Sequence, residues 1–178
     1  MKKFLLLLSL LISLNSSNAS EIKDKTEKSI RAVFGEGIKL DFIKYEIPIE
    51  IKDDIQNIAK QAFFRNEVYI WKIIKNDSTI GYAILDNVMG KSLPITFLVM
   101  FNLDDNIISS EIIKYREPIG GAIRSKGWNK QFIGKNHNSN FMVGRNIAGI
   151  TGATISVNSV SRGIKKLTYL IVEIKEVF

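Results

Sequence analysis

Polar and apolar positions divide the chain into stretches of different period. Glu21 to Phe34 places Ile22, Ile30, Val33 and Phe34 at helical spacing, with Gly35 and Gly37 just beyond, which predicts an amphipathic helix. Ile38 to Ile47 alternates with period two and is stopped by Pro48, which predicts a strand. Asp53 to Phe64 returns to helical period, with Ile55, Ile58, Ala59, Ala62 and Phe63 on one face.

Strands are expected next. Val68 to Ile74 is β-branched and aromatic, "KNDST" makes a turn, and Ile80 to Leu85 is the returning strand. Ile95 to Leu103 and Ile107 to Tyr115 form a second pair around "LDDN". The run "ITFLVMF" lacks polar alternation, so its strand is expected inside a sheet and buried on both faces.

After Tyr115 the pattern breaks up. "REPIGGAIRSKGWNKQFIGK" is punctuated by Pro and Gly, which predicts loop with short helical pieces, and Asn136 to Asn146 reads as an exposed polar loop. Within it Trp128 and Phe132, four apart, are core candidates. A helix resumes at about Ile155, with Val160, Ile164, Leu167 and Ile171 as its apolar stripe and Arg162, Lys165 and Lys166 elsewhere on its surface. The expected fold class is α+β, a single domain in which an antiparallel β-meander packs with N-terminal and C-terminal helices.

The first residues follow a different rule. Lys2 and Lys3 precede an apolar run of 11 residues, Phe4 to Leu14, then a polar stretch with small residues at Ser17 and Ala19. This is the layout of a secretory signal peptide over residues 1–19, leaving a domain at 20–178 in the periplasm or outside the cell. The run falls short of the roughly 20 residues that a membrane span needs. An uncleaved anchor is the alternative.

Charge and composition narrow the chemistry. The chain carries 25 basic and 18 acidic residues; without Lys2 and Lys3 the count is 23 against 18, a net of about +5. Both signs intermix and no basic stripe carries interleaved aromatics, so nucleic acid is a poor partner. The excess suits acidic proteins or peripheral contact with an anionic membrane. There is no cysteine, which removes thiolate catalysis, iron–sulfur ligation and thiol redox pairs. The one histidine, His137, lies in the polar run "GKNHNSN" and suggests no metal site. No catalytic set of side chains is legible, so redox chemistry here would need a cofactor.

One stretch offers more. "ITGATIS", Ile150 to Ser156, stands at the mouth of the last helix. A helix start has unpaired N–H groups and a positive dipole end. Gly152 and Ala153 let a ligand approach the backbone. Thr151, Thr154 and Ser156 offer hydroxyls that can bind phosphate or, once activated, act as nucleophiles. On these residues alone the plainer alternative is that Thr151 or Thr154 caps the helix.

The motif and the blocks upstream of it resemble the FMN-binding domains of ion-pumping redox complexes and of many small exported proteins. That family has a Ser/Thr-Gly-Ala-Thr-x-Ser/Thr segment near the domain's C-terminal end. "GYAILDNVMGKSLPITFLV" is similar to its Gly-Tyr strand and Gly-Lys-x-x-Pro-Ile-Thr turn. "YREPIGGAIRSKGWNKQFIGK" is similar to its Tyr-Arg-Glu-x-x-Gly segment and Gln-Phe-x-Gly-Lys ending. The resemblance runs from about Gly81 to the C-terminus.

The resemblance implies an electron-transfer flavoprotein rather than a stand-alone enzyme. FMN would sit on Thr154 through a phosphoester, installed outside the cytoplasm by an FAD-dependent, magnesium-requiring FMN transferase, and would relay electrons between a donor and an acceptor protein. Flavin contacts are then expected from Thr151, Gly152, Ala153, Ile155 and Ser156. Others are expected from Tyr115, Glu117, Gly120 and Gly121, from Lys91, Pro94, Ile95 and Thr96 on the opposite wall, and from Trp128 with Phe132 nearby. Three positions depart from the family's pattern. Ala148, six residues before Thr154, and Asn146 stand where Asp is frequent, and Ala122 follows the paired glycines where an acid often does. The acid before the Thr belongs to what the transferase reads. The alternative is therefore a non-redox binding module on the same fold, holding noncovalent flavin or another anion at the helix start.

Overall fold

A computed structural model describes residues 19–176. The expected signal peptide falls outside them, except for Ala19. The chain forms two compact units that divide between Glu36 and Gly37. In the first, residues 19–34 are one helix, α1. It ends where Gly35 turns left-handed at φ 88° and donates its amide to the Arg31 carbonyl at 2.9 Å.

The second unit holds a five-stranded sheet: β1 (Lys39–Glu46), β2 (Glu67–Lys75), β3 (Ser78–Met89), β4 (Pro94–Phe101) and β5 (Ile107–Lys114). The strands lie in that spatial order and pair antiparallel throughout. Helix α2 (Ile49–Ala59) connects β1 to β2. A short α3 (Lys126–Asn129) stands between two 3-10 turns after β5, and α4 (Thr154–Lys175) closes the chain. The class is α+β with a meander at its centre, as the periodicity predicts. Among the described residues no helix is long and apolar enough to cross a membrane.

Local chemistry sets the turns. Asn76 and Asp77, at φ 49° and 59°, form the two-residue connection of the β2–β3 hairpin; with both residues in the left-handed region, such a turn matches the right-handed twist of the strands it joins. Between β4 and β5 the Asn102 side-chain oxygen accepts from the amides of Asp104 and Asn106 at 3.1 and 2.9 Å.

Period two then sorts the sheet into faces. Ile70, Ile84, Val88, Phe97 and Val99 join one apolar cluster with Val157, Val160, Ile164, Leu167 and Ile171 of α4. Trp71, Ala83, Leu85, Leu98 and Met100 alternate with them on the opposite face and are also buried. Hence β4 is buried on both sides, as its unbroken apolar run predicts. Gly163 lets α4 approach closely: a Cβ there would lie 2.7 Å from Val88 Cγ1 and 2.9 Å from Phe97 Cζ.

Three expectations are corrected. Helix α2 begins at Ile49, directly after Pro48, and stops at Ala59 because Lys60 turns left-handed at φ 53°. Phe63 therefore reaches the core from a loop, and its amide donates to Gln56 Oε1 at 2.8 Å. Strand β3 continues through two polar residues to Met89, since both find partners: Asn87 Oδ1 accepts from Thr96 Oγ1 at 2.7 Å, and Asp86 Oδ2 lies 2.7 Å from Lys166 Nζ. Lys166 is thus not on the surface of α4. Its side chain is 0% exposed, donates to the Ala62 carbonyl at 3.1 Å and stands 4.0 Å from the centre of the Phe63 ring. Burial pulls its ammonium below the ordinary lysine range, and Asp86 opposes that shift.

Candidate functional site

Residues 150–153 turn into α4 without a side-chain cap. The Ala153 amide donates to the Ile150 carbonyl at 3.0 Å, Gly152 sits at φ 78°, and Ala153 itself takes the capping position. Neither Thr151 nor Thr154 makes a capping hydrogen bond, so the capping alternative does not hold. No acidic residue occupies the first turn. The positive end of α4 and its first amides are left for an anion. Thr154 is exposed there, while Ala153 and Ser156 are buried.

Three segments meet around that helix start: residues 91–93 after β3, 117–119 after β5, and 152–156. They enclose a cleft of about 490 Å³, a size common for small-molecule sites. Leu93, Ile119 and Ile155 are 41%, 71% and 50% exposed around it. Apolar side chains left in solvent on three converging segments suit a flat aromatic ring, and the helix start suits a phosphate.

Buried or clamped groups hold the walls in place. Glu117 Oε1 accepts from the amides of Ser92 at 2.6 Å and Leu93 at 2.9 Å. These amides hold the carboxyl below its ordinary value, with a smaller contribution from Lys91. Tyr115 Oη donates to the Ile119 carbonyl at 2.6 Å and lies 3.2 Å from Ser156 Oγ, which then donates to it. Gly120, at φ 87°, passes so close that a Cβ would meet Tyr115 Oη at 2.7 Å and Ala153 Cβ at 2.8 Å. Ahead of the motif, Trp128 Nε1 donates to the Ala148 carbonyl at 2.8 Å and Ala148 N donates to Gln131 Oε1 at 2.7 Å.

The residues expected at the site therefore separate into layers. Lys91, Glu117, Gly152, Ala153, Thr154, Ile155 and Ser156 line the cleft. Tyr115 and Gly120 lie directly behind that lining. Thr151 is exposed at its edge, and Gly121 turns toward Arg124, whose Nη2 would lie 3.2 Å from an added Cβ. Thr96 points to the sheet face away from α4, because its neighbours Ile95 and Phe97 take the α4 side. There its Oγ1 accepts from Arg116 Nη1 at 3.0 Å. Burial lowers the pKa of that Arg116 guanidinium. Trp128 is a core residue, 7% exposed, edge-on to the Phe132 ring at 5.1 Å. Ser92, Leu93, Pro118 and Ile119 also line the cleft and were not expected. Their signal was present: Leu93 and Ile119 are apolar residues beside Pro or Gly with no periodic partners.

Residues 90–168 match the family model described as FMN-binding domain. This part of the chain is similar to FMN-binding domains. The match takes in all three walls of the cleft, so FMN is the cofactor and flavin binding, with electron transfer in general, is the domain's role. No curated protein matches the chain. The FMN-binding domain offers what the cofactor asks for: an uncapped helix start for the phosphate and exposed apolar side chains for the ring. Lys91 and Glu117 are the titratable side chains lining the cleft. Glu117 is already committed to two amides and held as the weakly basic carboxylate, so the lining places no free base at the Thr154 hydroxyl.

Proposed function

We propose that the chain is an extracytoplasmic electron carrier whose FMN is joined to Thr154 by a phosphoester. The observation that carries this reading is the exposed Thr154 hydroxyl on the uncapped first turn of α4, at the edge of a flavin-sized cleft. Bound FMN supplies the redox chemistry, taking up two electrons and passing them on singly.

The chain's own part is attachment, orientation and shelter. The amides at the start of α4 hold the phosphate. Leu93, Ile119 and Ile155 cover apolar surface of the ring, and the Glu117 clamp fixes the wall opposite the helix. Transfer from FAD would form one Oγ1–P bond at Thr154, break the pyrophosphate, release AMP and remove the hydroxyl proton. Since no free base lines the cleft, that proton has to be taken by a separate FMN transferase, and the exposure of Thr154 suits such access. The net charge of about +5 suits brief docking with acidic redox partners.

The reading is tested by colour after denaturation. The chain, purified from cells with an active FMN transferase, should stay yellow through acid precipitation and become colourless with Thr154→Ala. Yellow colour released into the supernatant would mean a noncovalent FMN module, and would overturn the phosphoester.

A further inference from the structure

A second cleft, of about 300 Å³, opens farther along α4 and shares no lining residue with the flavin cleft. It lies between α4, the end of α2 and the loop that precedes the motif. Lys60, Arg162 and Lys165 stand in its lining and no carboxylate does. Lys165 Nζ donates to the Ile58 carbonyl at 3.1 Å. Lys60 and Arg162 are exposed and have no carboxylate partner among the described residues.

A second, independent feature points to a ligand. Ser161 also lines this cleft, is 0% exposed, and its Oγ has no hydrogen-bond partner among the described residues. A helical serine ordinarily returns its hydroxyl to the carbonyl one turn back, here that of Val157. Ser161 does not, so a buried donor is left unpaired among three cations. Met142, 47% exposed, adds an apolar wall on the other side.

We infer that this cleft binds a small organic anion, a carboxylate or phosphate monoester on an apolar body. Its oxygens accept from Ser161 Oγ and the Arg162 guanidinium, and its apolar part lies against Met142. Three cations without a carboxylate exclude a cationic ligand, and the unpaired hydroxyl gives an oxyanion a directed partner that bulk counter-ions lack. The site is separate from flavin attachment and does not depend on it.

The test uses phenyl phosphate as probe and amide chemical shifts of the mature chain as readout, in wild type and in Thr154→Ala. Saturable shifts should appear at Ser161, Arg162 and Met142 in both proteins. Phenol, with the same ring and no charge, should not saturate. Arg162→Gln and Ser161→Ala should each weaken the binding about tenfold, as loss of a charge-assisted or buried hydrogen bond does. Lys60→Gln, at an exposed position, serves as a variant that cannot be confused with misfolding and should also weaken binding. Shifts confined to Thr154–Ser156 would belong to the flavin cleft and overturn this inference, without bearing on flavin attachment. Saturation by phenol, or an unchanged affinity in Ser161→Ala, would overturn it as well.

Discussion

Glu117 and Ser92 are tied together: the Glu117 carboxylate accepts the Ser92 amide at 2.6 Å, across 25 positions of sequence. With the Leu93 amide on the same oxygen, this contact joins two of the three walls of the cleft at the start of α4. Gly90 is where the chain makes room for it, since a Cβ there would lie 2.6 Å from Glu117 Oε1.

The clamp should be visible as a titration. The folded pKa of Glu117 lies below the ordinary glutamate value of 4.5, because two amides favour the charged form. Its contribution is therefore fully present above that value and is lost as pH falls through the lower, folded one. The amide shifts of Ser92 and Leu93 should move together with an apparent midpoint under 4.5. Glu117→Gln should abolish that movement. A midpoint at or above 4.5 would contradict the clamp.

Gly120 and Gly121 are adjacent in sequence and should behave differently. Gly120→Ala puts a side chain at φ 87° and within 2.8 Å of Ala153 Cβ, so about 1–3 kcal/mol of stability should be lost in urea unfolding. Gly121→Ala meets only the flexible end of Arg124, at 3.2 Å, and should change stability by no more than about 0.5 kcal/mol. Equal effects would mean that the close approach of the loop to the motif is unimportant.

Tyr115→Phe removes the donor to Ile119 and strands the Ser156 hydroxyl, which is 4% exposed. A loss of about 1 kcal/mol is expected from the denaturant midpoint. Noncovalent FMN affinity of a Thr154→Ala background should fall with it, because the loop carrying Ile119 loses its tether.

The Asp86–Lys166 pair makes the core of this domain depend on charge. Asp86→Ala leaves a buried ammonium without its carboxylate and should cost about 3–5 kcal/mol, measured by urea unfolding. Replacing both partners, as Asp86→Leu with Lys166→Met, should recover most of that loss. A small effect of Asp86→Ala would show that the Ala62 carbonyl and the Phe63 ring suffice to hold Lys166.

Much of the fold was legible because its elements obey their periods. The apolar run of β4 and the Val160–Ile171 stripe of α4 could be read directly, since each is packed as its spacing demands. Where the reading failed, tertiary partners had overridden local appearance. Asp86 and Asn87 look like a strand end, and Lys166 like a solvated helix face, until Asp86 and Lys166 are seen to satisfy each other. The helix side of the cleft was legible along "ITGATIS" because a helix start is local in sequence. Its opposite walls are not local. Thr96 lies two residues past Pro94 in the resembling block, yet strand alternation turns it away, while Leu93 and Ile119 come forward from turns that periodicity cannot place.

The most direct test of the account is the intact mass of the mature chain made beside an active FMN transferase, with Thr154→Ala, Thr154→Ser and Thr151→Ala measured alongside. The account predicts a gain of one FMN less one water in wild type and Thr151→Ala, none in Thr154→Ala, and the gain mapped to the peptide carrying "ITGATIS". A bare polypeptide mass in wild type, with the transferase shown to modify another substrate in the same cells, would contradict it.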